Sequence, residues 1–139
     1  MQAPDPAARG ADAGAPPQPA RAATTGVPAA QADLVFRLRG LLADEPTLRD
    51  VSMFGGRSFM VEGRMLVAAG RDGSLLVRVA GARHDELVAR PGAAQAQMGA
   101  GRSMGPGWIR VEAQALEDDA ALTSWLDLAR EHHRRAAEG

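Results

Sequence analysis

One short segment of the chain matches the spacing of a serine nucleophile. Residues 101–105 read Gly-Arg-Ser-Met-Gly, a G-x-S-x-G pattern in which Ser103 would attack a carbonyl carbon. That chemistry needs a strand before the serine and a helix after it, so that the hydroxyl stands exposed above a sheet. Here Pro106 and Gly107 follow, and then a predicted strand. We therefore interpret the segment as a glycine-rich loop, and we expect no catalytic residue.

The three histidines do not form a pattern typical of a metal site. His84 stands alone in a predicted short helix, where we expect it at the surface. His132 and His133 are adjacent, so they point about 100° apart on a helix, whereas a shared metal favours a spacing of four residues. Their expected role is favourable charge near a helix C-terminus. Cysteine is absent, so thiolate and Cys-based zinc chemistry are excluded. We expect neither a metal nor a cofactor.

Arginine has the most suggestive distribution of any residue type. All sixteen basic residues are arginine, and residues 51–111 hold eight of them against four acids, although the net charge of the chain is −1. Several arginines on one open sheet face would form an anion-binding surface. The alternative is a solvated face whose arginines protect sheet edges. The candidate binding residues are Arg57, Arg78, Arg102 and Arg110.

The elements that would position these residues begin with a helix and a meander of strands. Residues 28–45 place apolar side chains on one helical face, and the helix should end before Pro46. Residues 51–79 predict three strands, with turns at 62–64 and at Asp72-Gly73. In the last of these strands, Leu75, Val77 and Val79 should share one face and Arg78 the other.

The second half of the chain predicts a helix over 82–90, strands near 94–98 and 108–111, and a final helix. Asp118 or Asp119 should cap that helix. Its predicted buried stripe consists of Leu122, Trp125, Leu126, Ala129 and His133. The predicted order is α-β-β-β-α-β-β-α. The expected fold class is α+β, with helices on one face of an antiparallel sheet.

Residues 1–27 differ in composition from the rest of the chain. They hold five of the nine prolines and no Leu, Ile, Phe or Trp. Such a stretch cannot bury enough apolar surface to offset its ordering entropy, so we expect a disordered tail before one domain over residues 28–139. No apolar run approaches the ~20 residues of a membrane span, and the start lacks a secretory signal. We therefore expect a cytoplasmic protein without membrane contact.

Several short motifs, taken in order, resemble a known family. Met53-Phe54-Gly55-Gly56 opens the strand region, Leu-Leu-Val-Arg-Val follows at 75–79, and the 101–105 segment leads into Gly107-Trp108. With the final helix that carries Trp125, these motifs resemble the N-terminal domain of the TfoX/Sxy competence regulators over about residues 31–137. The resemblance implies an α+β fold and a regulatory or protein-interaction role. Full-length regulators of the family carry a second, C-terminal domain, which we do not expect in this sequence.

The motif residues also have physical explanations. Gly55 and Gly56 should permit a close backbone approach or a conformation that a Cβ would forbid. A structural rather than a binding role is expected for Met53, Phe54, Met104, Gly107, Trp108 and Trp125. Arg78 and Arg102 match basic positions of the family pattern, and we expect them to lie near each other. Ser103 occupies a position where the family commonly has proline, which argues further against a nucleophile.

Three functions are open from the sequence. The first is a non-enzymatic interaction or regulatory module, acting in transcription, whose partner is another protein. The second is a nucleic-acid or anion binder that uses an arginine-rich sheet face, although the net charge does not indicate it. The third is an enzyme that depends on Ser103 or on a histidine. The sequence favours the first.

Overall fold

A computed structural model describes residues 28–53, 55–98 and 101–138. The predicted tail over 1–27 and Phe54 lie outside the described residues. The described helices and strands, in chain order, are α1 (Ala29–Leu41), β1 (Arg49–Met53), β2 (Gly56–Val61), β3 (Arg64–Ala69), β4 (Leu75–Arg78), α2 (His84–Val88), β5 (Ala93–Gln95), β6 (Trp108–Val111) and α3 (Asp119–Glu138). Short 3₁₀ turns at Gly81–Arg83 and Ala113–Leu116 precede α2 and α3.

The strands form one antiparallel sheet in the order β1-β2-β3-β4-β6-β5. The two predicted hairpin turns are confirmed. Glu62 and Gly63 both have positive φ, 54° and 79°, as a two-residue type I′ turn requires. At the next turn, Asp72 Oδ1 accepts a hydrogen bond from Ser74 N–H at 3.0 Å, and Gly73 has φ +82°. The predicted α+β class with an antiparallel sheet is therefore confirmed.

The sheet contains one strand more than predicted. β1 pairs with β2 from Arg49↔Met60 to Met53↔Gly56, so the order is α-β-β-β-β-α-β-β-α. The predicted three-stranded meander thus has four strands. β1 lies at an edge of the sheet, and its sequence Arg-Asp-Val-Ser-Met shows no apolar alternation because most of its side chains stay accessible.

One face of the sheet carries the core. Phe59, Val67, Val77 and Ile109 are successive partners across four strands, and all four are fully buried. Apolar stripes of α1 and α3 pack in the same cluster, and they include Leu34, Leu38, Leu122, Trp125, Leu126 and Ala129. The apolar residues of both predicted stripes are confirmed, whereas His133 lies outside the core cluster and pairs with Glu62. In β4, Leu75 and Val77 are buried and Arg78 is exposed, as the predicted alternation requires.

Two arginines join α1 to the region of α3. Arg37 donates to the carbonyl oxygen of Leu116 at 2.7 Å and to Asp119. Arg130 donates to the carbonyl oxygen of Leu41 at 2.9 Å, close to the end of α1. The predicted cap of α3 is Asp118, whose Oδ1 accepts from Ala120 N–H. Within the described ranges, no helix is both long and apolar enough to cross a membrane.

His84 corrects a prediction, because it is buried rather than at the surface. Its Nδ1 accepts a hydrogen bond from Gly107 N–H at 2.9 Å. Gly107 has φ +90°, and a Cβ there would lie 2.6 Å from the carbonyl oxygen of Val79. Val79 N–H in turn donates to the carbonyl oxygen of Gly107 at 2.8 Å. The loop before β6 is therefore hydrogen-bonded to the end of β4 at Gly107, a position where there is no room for a side chain.

Replacing Gly107 should be more costly than replacing the nearby Gly105. Gly105 has a similar φ of +96°, but a Cβ there would meet no heavy atom within 4 Å. Gly105→Ala should therefore lose only about 1–2 kcal/mol of unfolding free energy, the cost of positive φ. Gly107→Ala should lose about 1–3 kcal/mol more from overpacking. Urea unfolding of both variants measures the difference, and equal losses would contradict the close contact with Val79.

Candidate functional site

A groove of about 380 Å³ lies between α1 and the turn that joins β1 to β2. This volume is in the range of small-ligand pockets, about 300–1,000 Å³. We call it the arginine groove and define it by its lining residues, Gln31, Ala32, Val35, Arg39, Ser52, Gly55, Gly56, Arg57 and Arg71. It is the place where the first helix and the family motif at 53–56 meet.

The floor of the arginine groove depends on Gln31, which is buried in the first turns of α1. Its Nε2 donates to the carbonyl oxygens of Gly55 at 3.2 Å and Ala69 at 3.0 Å. Gly56 approaches the same strand closely, because a Cβ on it would lie 3.2 Å from the carbonyl oxygen of Ala69. Gly55 has φ +81°. The two glycines therefore show the positive φ and the close approach expected from the sequence.

Two guanidinium groups meet one carboxylate at the mouth of the arginine groove. Arg39 Nε and Nη2 donate to the two oxygens of Asp50, each at 3.1 Å. Arg57 Nε donates to Asp50 Oδ1 at 2.9 Å, and its Nη1 donates to Ser52 Oγ at 2.8 Å. Both arginines keep part of their side chain exposed, 53% for Arg39 and 36% for Arg57. They therefore retain N–H donors for an external acceptor.

Arg39, Arg57 and Asp50 form a triad in which two cations share one anion. The hydrogen bond from Arg39, followed by that from Arg57, lowers the pKa of the Asp50 carboxyl against the opposing effect of burial. Asp50 is therefore ionised at neutral pH and holds both guanidinium groups in place. One positive charge of the triad stays uncompensated, which favours an anionic group in the arginine groove.

An exposed aromatic ring lies on α1, close in the helix to two residues of the arginine groove. Phe36 is 76% exposed, the highest value among the large apolar side chains of the described residues. It is one helical turn from both Ala32 and Arg39, which line the groove, so the three residues share one side of α1. The sequence pattern did not indicate Phe36, Arg39 or Asp50 as site residues. Phe36 departs from the apolar stripe of α1, and this departure was the available signal.

The four predicted arginines do not form one surface. Arg57 lies on the side of the sheet that faces α1, in the triad with Asp50. Arg78 stacks over the ring of Trp108 at 5.1 Å, and Arg110 pairs with Asp72. Arg102 is exposed in the 101–107 loop, and its side chain makes no hydrogen bond or ion pair with the described residues.

The motif residues that the structure describes take mostly structural places. Met53 ends β1 and is 40% exposed, whereas Trp125 is buried beneath the guanidinium of Arg90 at 5.2 Å. Trp108 is half-buried below Arg78. Met104 N–H donates to the carbonyl oxygen of Ala96 at 2.9 Å and so joins its loop to the segment after β5.

The segment around Ser103 is a loop that leads into β6, not a strand–turn–helix unit. Ser103 Oγ accepts a hydrogen bond from Gly105 N–H at 2.9 Å, which makes the hydroxyl part of a local turn. Of the other two histidines, His133 Nε2 lies 2.9 Å from Glu62 Oε1. Among the residues that the structure describes, no group of three or more His, Cys, Asp or Glu side chains could hold a metal ion.

Comparison with known proteins gives one match. The family model described as the TfoX N-terminal domain matches residues 40–133, from the end of α1 into the second half of α3. No curated protein matches the chain, and no solved structure matches it. The matched region contains all six strands of the sheet.

Asp50→Asn should lower the free energy of unfolding by about 1 kcal/mol at neutral pH, because two guanidinium groups lose their shared carboxylate. The folded pKa of Asp50 is lowered. Its contribution is therefore complete above the unfolded value of about 3.9 and declines as the pH falls below that value. Urea unfolding at several pH values checks this. Asp33→Asn, at an exposed α1 residue without an ion pair among the described residues, is the control. A difference independent of pH would contradict the assignment.

Proposed function

The chain belongs to the TfoX N-terminal domain family, and from this premise we propose that it is a non-enzymatic interaction module. Its arginine groove binds a segment of a partner protein that combines acidic and apolar side chains. A regulatory role like that of the TfoX/Sxy proteins, including any action in transcription, would reach this chain through such a partner. The proposed location is the cytoplasm.

One observation carries this proposal: the exposed ring of Phe36 lies on α1 one helical turn before Arg39, whose guanidinium meets that of Arg57 at Asp50. An isolated apolar residue at a surface needs no explanation, but an aromatic ring next to arginines is typical of the residues that dominate protein interfaces. The ring would pack against an apolar side chain of the partner. The remaining guanidinium donors would bind a carboxylate one or two residues away.

Charge favours a protein segment over nucleic acid as the occupant. The chain has a net charge of −1, so no global field attracts a polyanion. The two arginines that meet at Asp50 lose half of their combined charge to that carboxylate. Nucleic-acid binding depends on many phosphate contacts along a track, whereas the arginine groove offers a short site with one adjacent aromatic ring.

The non-enzymatic part of the proposal is supported by the surroundings of Ser103. Its hydroxyl accepts a hydrogen bond from the backbone of its own loop, and β6 follows instead of a helix. His84, the buried histidine, accepts a hydrogen bond from Gly107 N–H through Nδ1. Neither residue is arranged as a nucleophile paired with a base.

Affinity capture with matched variants tests the proposal. The tagged full chain would be incubated with nuclease-treated native lysate, alongside Phe36→Ala and Arg57→Ala. A protein bound by the wild type should bind at least about tenfold more weakly to each variant, because both remove a central contact. Its retention should fall as salt rises, since the arginines are partly exposed.

Two variants away from the arginine groove serve as controls. Met98→Ala removes another exposed apolar side chain, and Arg134→Ala removes another exposed arginine, on α3. Both should bind like the wild type, and mass spectrometry of cross-linked complexes should place acidic residues of the partner at α1. A partner retained equally by the two groove variants would contradict the proposal. Capture that nuclease abolishes would also contradict it and would favour nucleic acid.

A further inference from the structure

A second pocket, separate from the arginine groove, lies where the ends of β3 and β4 meet the last turns of α3. Its volume is about 160 Å³. Arg64 and Met65 of β3 and Arg78 of β4 line one side. The helical side consists of Ala129, His132, His133 and Ala136, whose spacing of three, four and seven residues places them on one face of α3. The two alanines leave the space that the basic side chains surround.

The arginines of this pocket have no acidic partner among the described residues. Most other arginines do: Arg37, Arg39, Arg57, Arg83, Arg110, Arg130 and Arg135 each form an ion pair. Arg64 is exposed and unpaired within the described part of the chain, and Arg78 makes only its ring contact with Trp108. Stacking fixes the position of the Arg78 guanidinium and leaves its N–H edge free to donate.

The electrostatic environment of His132 is consistent with an excess of positive charge in this pocket. Burial, and then the charges of Arg78, His133 and Arg64, lower the pKa of His132. His133, which also lines the pocket, has an acidic partner, because its Nε2 lies 2.9 Å from Glu62 Oε1. A bound anion would reverse this situation, because it would favour the imidazolium form of His132.

The other side of His132 faces groups that already pair with one another. Arg83, Glu131 and Arg135 line a small adjoining space with His132. Glu131 lies 3.0 Å from Arg135 and 3.7 Å from Arg83, and Arg83 also pairs with Glu86. These groups hold two arginines and two acids, so the uncompensated charge lies on the Arg64 and Arg78 side.

We infer that this pocket binds a phosphate-sized oxyanion, held by the guanidinium groups of Arg64 and Arg78 with the ring of His132 as a third donor. Guanidinium N–H groups suit the oxygens of phosphate or sulfate because they donate in a planar fork. The small volume suits one phosphoryl group better than a whole nucleotide. The source would be the free ion or a small phosphomonoester. The site is independent of the arginine groove.

Histidine NMR of the full-length chain tests the site. The ring signals would be assigned with His132→Gln and His133→Gln, then followed against pH in sulfate and in chloride at equal ionic strength. Sulfate keeps its charge over the range where histidine titrates, so any effect arises from the protein. We expect the pKa of His132 to be higher in sulfate than in chloride and sulfate affinity to rise as the pH falls. Unchanged titration of His132 would overturn the proposal.

Variants and a second probe sharpen the result. Arg64→Gln and Arg78→Gln should each weaken sulfate and phosphate binding about tenfold. Arg64→Gln is the safer test because Arg64 is exposed, whereas Arg78 also contacts Trp108. Arg134→Gln, which removes an exposed arginine of α3, should leave the affinity unchanged. An equal loss of anion affinity in Arg64→Gln and Arg134→Gln would mean that only the overall charge of the protein matters. That result would overturn the proposed site.

The source of the anion and the independence of the two sites follow from two more comparisons. Tighter binding of glycerol phosphate than of inorganic phosphate would support a phosphomonoester, and the reverse order would support the free ion. Phe36→Ala and Arg57→Ala should bind sulfate like the wild type. If these variants show that the arginine groove binds no partner protein, the sulfate result still tests this second pocket on its own. Binding of an oligonucleotide without any binding of sulfate or phosphate would overturn the inference.

Discussion

Four side chains that face one another across neighbouring strands, Phe59, Val67, Val77 and Ile109, are fully buried beneath α1 and α3. Because strand side chains alternate, Arg78, which follows Val77 in β4, lies outside this row and is exposed. Arginine suits such positions, since its aliphatic stem covers apolar surface while its guanidinium stays in water. The register of the buried row thus leaves Arg78 exposed at the end of its strand, where it lines a pocket with residues of α3.

Ion pairing within the protein then determines which of these arginines can bind an external anion. Arg57 and Arg110 each form an ion pair with a carboxylate, so much of their positive charge is compensated within the protein. Arg64 and Arg78 have no carboxylate partner among the described residues. The excess of arginine over acid in residues 51–111 is visible in the sequence, but it does not locate the positive potential. Location depends on contacts between residues far apart in the chain, as in the pocket that Arg78 shares with His132.

This dependence explains what could be predicted from the sequence. The strand Trp108–Val111 and the apolar stripe of α3 were predicted because each pattern follows from burial on one side. β1 was missed because an edge strand needs no buried face. The burial of His84 was missed because its partner, Gly107 N–H, is 23 residues away. Within the arginine groove, the arginine excess of residues 51–111 indicated Arg57, and the Met-Phe-Gly-Gly motif indicated the two glycines. Arg39 and Phe36 were not indicated, because α1 reaches the groove only through tertiary packing.

The family match and the groove overlap only in part, and this bears on specificity. The matched region begins at residue 40, so it includes the strand side of the arginine groove with Gly55, Gly56 and Arg57. The helical side, with Phe36 and Arg39, precedes it. Fold alone does not determine function, which resides in the side chains placed on the fold. Gln31 joins the two sides by bonding the backbone at Gly55 and Ala69, so α1 is held in a fixed position against the shared strands. The exposed residues of α1 are therefore presented at a fixed position beside the strands, and under the proposed function they would determine which partner binds.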